Sequence, residues 1–178
     1  MIEIGAMYMG GQFSPKEFGQ AIERAGFDSL WAGDHILHYV DGIATLGIFA
    51  GATDRIPLGT SVLVAPFRPA AVLAKGVLTA AWAAGRQLTI GIGPGGDVAA
   101  EFEVVGNDIK LRGAWTNEAI EVAQLLWNAE PGTAVSYEGR FVKFHDVVMD
   151  QGGNHTYRGP RPRLWVGGRS EAALQRAV

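Results

Sequence analysis

Residues 2–32 read IEIGAMYMGGQFSPKEFGQAIERAGFDSLWA, and the order of signals within them sets the fold. Ile2 to Met9 is short, mostly apolar and stops at Gly10-Gly11, the pattern of a buried strand. Ser14-Pro15-Lys16-Glu17 then offers an N-cap, a proline for the first helical position and a reciprocal capping-box acceptor. Phe18, Ala21, Ile22 and Ala25 recur at helical spacing, and Gly26 stands where a C-terminal glycine belongs. Ser29-Leu30-Trp31-Ala32 is a second apolar run. The stretch therefore reads strand, helix, strand.

Working outward, the unit repeats. A loop carrying Asp34 and His35 leads to a helix-like segment from Ile43 to Ala52, and Pro57 to Ala65 is a third strand. Pro69 opens an Ala-rich helix ending near Gly85; its apolar residues go all the way round, so it is expected to be largely buried or packed in an oligomer. Gln87 to Ile92 is the fourth strand. These strands start about thirty residues apart, the length of one βα unit. Alternating strand and helix implies parallel strands covered on both faces, hence continuously apolar.

The fifth unit arrives late. A short helix at Ala99 to Val104 and an amphipathic helix at Ala114 to Trp127 come first, the latter placing Trp115, Ala119, Val122 and Leu126 on one face. Tyr137-Glu138-Gly139-Arg140 reads as a hairpin turn between Ala134-Val135 and Phe141-Val142, and Gln151 to Pro162 as a polar surface loop. Arg163 to Gly167 is the fifth strand, and Ser170 caps a last helix. No low-complexity tract marks a boundary. Residues 1–178 are expected to form one partial α/β domain of about five βα units, with a helical and hairpin insertion at about 97–162.

Composition narrows the function classes. At 178 residues and 48% hydrophobic, the chain can bury about 70% of its unfolded surface. The absence of cysteine removes disulfides, thiolate metal sites and thiol nucleophiles together. Fifteen basic against eighteen acidic side chains form no basic stripe, so no nucleic-acid partner is expected. Pro69 to Ala84 is interrupted by Lys75 and falls short of the roughly 18 apolar residues of a membrane span. Met1-Ile2-Glu3 lacks the basic start of a signal peptide. A cytoplasmic protein with a small-molecule substrate, working as a homo-oligomer, is the expectation.

Chemistry in parallel α/β folds collects at the carboxyl ends of strands. That rule selects Met7 to Gly11, Gly33-Asp34-His35, Thr60-Ser61-Val62 and Gly91 to Asp97. An imidazole at a strand end suits proton transfer, and Asp34 beside it could accept a hydrogen bond from a ligand. The competing reading is a helix-capping Asp34 next to a satisfied histidine. A metal reading would use Asp34, His35 and His38, without a second cluster to support it; His145 and His155 fall in an unrelated region. No nucleophile elbow is evident. Gly91-Ile92-Gly93-Pro94-Gly95-Gly96 matches GxGxxG, but it closes the fourth strand rather than the first and Pro94 removes a backbone donor, which argues against a dinucleotide fold.

Taken together, the segments resemble the luciferase-like flavin or deazaflavin oxidoreductases, a (β/α)8 TIM-barrel family. The resemblance runs in order through Glu23 to Trp31, Asp34-His35, Arg55 to Leu63, Gly85 to Gly93, the helix from Arg112-Gly113 to Trp127, Tyr137 to Phe141, and Pro162 to Ser170. It implies a catalytic His35, with Asp34 beside it at the reactive edge of the ring. It implies a non-proline cis peptide at Ser61-Val62 behind the ring, and Gly93 and Gly95 lining the cofactor. The branch it most resembles uses coenzyme F420, with FMN as the alternative; no metal is implied. The cofactor would carry the hydride chemistry, and the protein would orient it.

Two departures accompany the likeness. Trp82-Ala83-Ala84-Gly85-Arg86 stands where the family has an acidic residue and a Ser-Gly-Gly-Arg turn, on the side of the barrel that bears stability. An eight-unit barrel needs about 250 residues, so the barrel reads as truncated after the fifth strand, leaving strands one and five as open edges. The leading expectation is an F420-dependent oxidoreductase acting on a small organic substrate. Its alternatives are an FMN-dependent monooxygenase using oxygen and a non-catalytic barrel fragment stabilised by oligomerisation.

Overall fold

The structure, a computed structural model that describes residues 2–149 and 160–177, opens with strand β1 (Gly5–Tyr8) and helix α1 (Pro15–Ala25). Ser14 caps α1 reciprocally: its Oγ accepts from the N–H of Glu17, whose carboxylate accepts the N–H of Ser14 at 3.0 Å. Gly26 ends the helix at φ 79°, in the left-handed region glycine enters without cost. The chain continues through β2 (Ser29–Ala32), α2 (Gly42–Ala52), β3 (Leu58–Val64), α3 (Ala70–Ala84) and β4 (Leu88–Gly93). Then come α4 (Ala99–Val104), α5 (Arg112–Asn128), the antiparallel pair β5 (Ala134–Glu138) and β6 (Lys143–Val148), β7 (Arg163–Val166) and α6 (Glu171–Ala177). The expected fifth strand is β7.

The five parallel strands lie in the order β1-β2-β3-β4-β7, without the reversal of a dinucleotide-binding sheet. β1 and β7 form the two edges. Such an arc lets four of the helices pack in series, α1 on α2, α2 on α3 and α3 on α5. Leu30, Leu58, Leu88 and Ile90 face these helices and join Leu46, Phe49, Leu73, Val77 and Val122 in one buried cluster. Each fully buried Leu or Phe contributes about 1.5–3 kcal/mol. The Trp127 indole N–H donates to the Ala74 carbonyl at 3.1 Å, locking α5 on α3.

Two expectations change. Strand β1 is shorter than Ile2 to Met9, because its partner β2 has only four residues to pair with; the Ile4 N–H instead donates to Asp28 Oδ2 at 2.7 Å. Phe141 and Val142 belong to the hairpin turn rather than its second strand. Glu118, on α5, takes the N–H groups of Arg140, Phe141 and Val142, which holds them out of the ladder. Helix α3 packs between α2 and α5 and, in the single chain, leaves Val72 and Trp82 more than half exposed. The loop expected from Gln151 falls, through residue 159, outside the described residues, as does His155.

Among the described residues, no helix covers the opposite face of the sheet. It holds a cavity of about 390 Å³ lined by Met7, Trp31, Ser61, Gly91 and Trp165 among others. Trp31 and Trp165 stack across it with ring centroids 5.4 Å apart. Gly59 lets them meet, since a Cβ there would lie 2.5 Å from the Trp31 ring. No helix among the described residues is long and apolar enough to cross a membrane.

Candidate active site

At the carboxyl ends of the strands a second cavity, of about 180 Å³, is lined by Asp34, His35, Ser61, Val62, Gly95 and Glu101 among others. It shares Met7, Ser61 and Val62 with the larger one, so the two adjoin across the end of β3. Five of the six residues singled out from the sequence line it. Gly93 does not; it lies beneath Val62, whose Cγ2 would be 3.0 Å from a Cβ at that position. Its missing side chain makes room for Val62. Gly95 does line the cleft, at φ 61°.

The peptide between Ser61 and Val62 is cis, where the resemblance places one. The pairing of β3 with β4 slips between Thr60 and Leu63, so the ladder is broken around this bond. Thr60 Oγ1 donates to the Gly91 carbonyl at 2.9 Å on the near side.

Asp34 is engaged within the fold, including at the first residue of α2. Its side chain is fully buried, and each oxygen already accepts two hydrogen bonds. Oδ1 accepts from the Gly42 N–H at 2.9 Å and Arg68 Nη2 at 2.8 Å; Oδ2 accepts from the Val64 N–H and Arg68 Nη1, both at 2.8 Å. Four bonds fill the acceptor capacity of a carboxylate. Asp34 therefore cannot receive a ligand hydroxyl or ring N–H. Being turned into Arg68, it cannot share an ion with His35 and His38 either, and no group of three His, Cys, Asp or Glu among the described residues could hold a metal.

His35 faces the cleft. Its Nδ1 lies 3.1 Å from both oxygens of Glu101, and its backbone N–H donates to the Val40 carbonyl at 2.9 Å. The Tyr39 ring meets the imidazole edge-on at 5.0 Å. Glu101 is almost wholly buried on α4 and also accepts the N–H groups of Ile36 at 2.8 Å and Leu37 at 3.0 Å. Burial works against its charge, yet these N–H groups and the ring of His35 outweigh it and hold the carboxyl below the usual glutamate range. An ionised carboxylate only accepts, so the arrangement assigns the proton of neutral His35 to Nδ1 and leaves Nε2 as the acceptor. The pair can take up one proton at Nε2 and stabilise the resulting imidazolium.

Sequence reasoning missed Glu101 and Arg68. Arg68 carried a signal, a lone cation between Phe67 and Pro69 in an apolar tract; Glu101 carried none, in a short helix 66 residues beyond His35.

A profile of luciferase-like monooxygenases matches residues 3–178. The chain belongs to this luciferase-like family. Relatives include the F420-dependent glucose-6-phosphate dehydrogenase of Segniliparus rotundus, 31% identical over 163 residues, which cover 83% of this chain and 47% of that one. The protein of the same name from Beutenbergia cavernae is 30% identical over 161 residues, covering 84% and 47%. Among solved luciferase-like structures, an F420-dependent secondary alcohol dehydrogenase holding an F420–acetone adduct superposes with a TM-score of 0.81 at 22% identity, over 98% of this chain and 55% of that one. The oxygenating constituent of 3,6-diketocamphane monooxygenase from Pseudomonas putida, in complex with FMN, gives 0.72 at 16% identity, over 92% and 50%. The chain spans about half the length of the relatives it matches, and its arc of five parallel strands is the corresponding part of their TIM-barrel fold.

Proposed function

We propose that the protein is an oxidoreductase that moves hydride between coenzyme F420 and a small organic substrate at the cleft beside His35. The observation that carries the reading is the His35–Glu101 pair, whose Nε2 has no hydrogen-bond partner among the described residues, at a cleft backed by the Ser61–Val62 peptide. The cleft fits a flat heteroaromatic ring. Met7, Met9 and Val62 offer apolar walls for its faces, while His35 and Ser61 offer polar atoms for an edge. When bound, the deazaflavin supplies the carbon that accepts or returns the hydride.

The chain's own groups manage the proton. Nε2 of His35 takes the proton of a substrate hydroxyl as the substrate carbon bearing it gives up hydride, and returns it in the reverse direction. Glu101 keeps Nδ1 protonated throughout and offsets the charge that appears on the ring. Names of relatives at 28–31% identity favour F420. An FMN-bound neighbour of the same fold keeps the monooxygenase reading as the alternative.

Titration of the chain with F420 and with FMN, followed by absorbance and fluorescence, tests the proposal, with the Segniliparus relative titrated alongside. Saturable F420 binding, weaker but still measurable in His35→Ala, is expected. FMN binding together with oxygen consumption by reduced FMN would move the reading to the alternative. If the relative binds F420 and this chain binds neither cofactor, the cleft is not a cofactor site.

A further inference from the structure

Arg68 follows the single 3-10 turn Ala65–Phe67 after β3, and its side chain is only 10% exposed. The guanidinium grips both oxygens of Asp34 at 2.8 Å and reaches Asp41 Oδ2 with Nη2 at 2.9 Å. These two acids stand at either end of the loop that carries His35. Asp41 also caps α2 through its other oxygen, which accepts the Ala44 N–H at 2.7 Å. Asp34, for its part, holds the N–H of Gly42 at the start of α2 and of Val64, two residues beyond the cis peptide. One planar cation thus ties together the loop, the start of α2 and the end of β3. Only a guanidinium has the geometry for this, because its fork meets both oxygens of a carboxylate while a further N–H turns elsewhere. Burial opposes the charge on Arg68, but the hydrogen bonds and charges of Asp34 and Asp41 outweigh it and keep the group firmly protonated.

We infer that Arg68 is a positioning residue for His35. It does not touch the imidazole. By clamping Asp34 and Asp41 it fixes residues 34–41 so that Nδ1 meets Glu101 and Nε2 faces the cleft. The catalytic consequence rests on the proposed function, whereas the positioning itself is read from the ring alone.

The test is nuclear magnetic resonance of protein labelled with ¹⁵N in its histidine rings, assigned with His35→Ala. Wild type should show His35 as one species protonated at Nδ1. Arg68→Lys keeps the charge but presents a point donor; it should give a second His35 species, protonated at Nε2 and amounting to at least a fifth of the signal. Glu101→Gln supplies the reference for a released ring. A folded Arg68→Lys protein whose His35 remains one Nδ1-protonated species overturns the inference, however far the Gly42 and Val64 amide signals move. Should Arg68→Lys fail to fold, Asp41→Asn, altered at the partly exposed arm, decides the matter by the same two outcomes. With F420, Arg68→Lys should bind at least tenfold more weakly than wild type. If wild type binds no F420, the proposed function fails while the ring signals still decide the role of Arg68.

Discussion

Glu101 holds Nδ1 of His35 with both carboxylate oxygens at 3.1 Å, from a helix that begins four strands into the sheet. His35→Ala should therefore lower turnover with F420 by about 10²–10⁴-fold, the usual worth of a positioned acid–base group. Glu101→Gln should produce most of that loss with His35 still present. Steady-state turnover and cofactor affinity measured separately distinguish loss of chemistry from loss of binding. Equal turnover in Glu101→Gln and wild type would remove the pair from the mechanism.

Acid should weaken the fold at a defined place. Glu101 and Glu23 both have carboxyls held below the ordinary value near 4.5, against the cost of burial, by backbone N–H groups: those of Leu37 and Ile36 for the first, those of Arg55, Ile56 and Asp54 for the second. A depressed folded-state pKa lends stability that is complete above the unfolded value and is lost as pH falls through the folded one. The urea midpoint should stay level as far as these two groups govern it from pH 7 to about pH 5, and fall below about pH 4.5. Glu101→Gln should flatten part of that fall. A midpoint that rises on acidification would contradict the assignment.

Arg86 separates stability from chemistry. Its guanidinium donates to the carbonyls of Thr53, Ile56 and Ala84 and to Thr53 Oγ1 at 2.6–3.1 Å, at the amino-terminal end of the strands. Arg86→Met should destabilise the protein by about 2–4 kcal/mol in urea unfolding, because several part-buried acceptors lose their donors. F420 affinity below the transition should not change. A loss of affinity in the folded variant would mean that this end of the sheet communicates with the cleft.

Two glycines on one strand should answer differently to alanine. A Cβ at Gly91 would lie 2.3 Å from the Thr60 carbonyl oxygen, a backbone atom that cannot step aside. At Gly93 its tight contact is with the Val62 side chain at 3.0 Å, which can turn, while the Gly167 carbonyl oxygen stands at an ordinary 3.6 Å. Gly91→Ala should cost about 1–3 kcal/mol of stability. Gly93→Ala should keep its melting temperature within a few degrees while shifting Val62 and weakening cofactor binding. Equal melting temperatures for the two would show that Thr60 yields.

What the sequence revealed was local. The capping box at Ser14 and Glu17, the glycine stop at Gly26 and the bounds of β2 and α4 depend on neighbours within a few positions, and each was readable. The cis bond at Ser61 entered through family likeness, since nothing in Thr60-Ser61-Val62 signals it. The partners of Asp34 and His35 lie 34 and 66 residues away, beyond any periodicity or spacing argument. The pairing of Asp34 with Arg68 was accordingly out of reach of the sequence. The hairpin turn was misplaced for the same reason: Glu118 determines it from 22 to 24 residues upstream.

The stacked indoles of Trp31 and Trp165 border the same Ser61–Val62 peptide that backs the cleft. Two such chromophores with centroids 5.4 Å apart couple their transitions. The protein thus carries its own optical gauge: a change in the near-ultraviolet dichroism of this couple would register a molecule settling into the concave face, with no label attached.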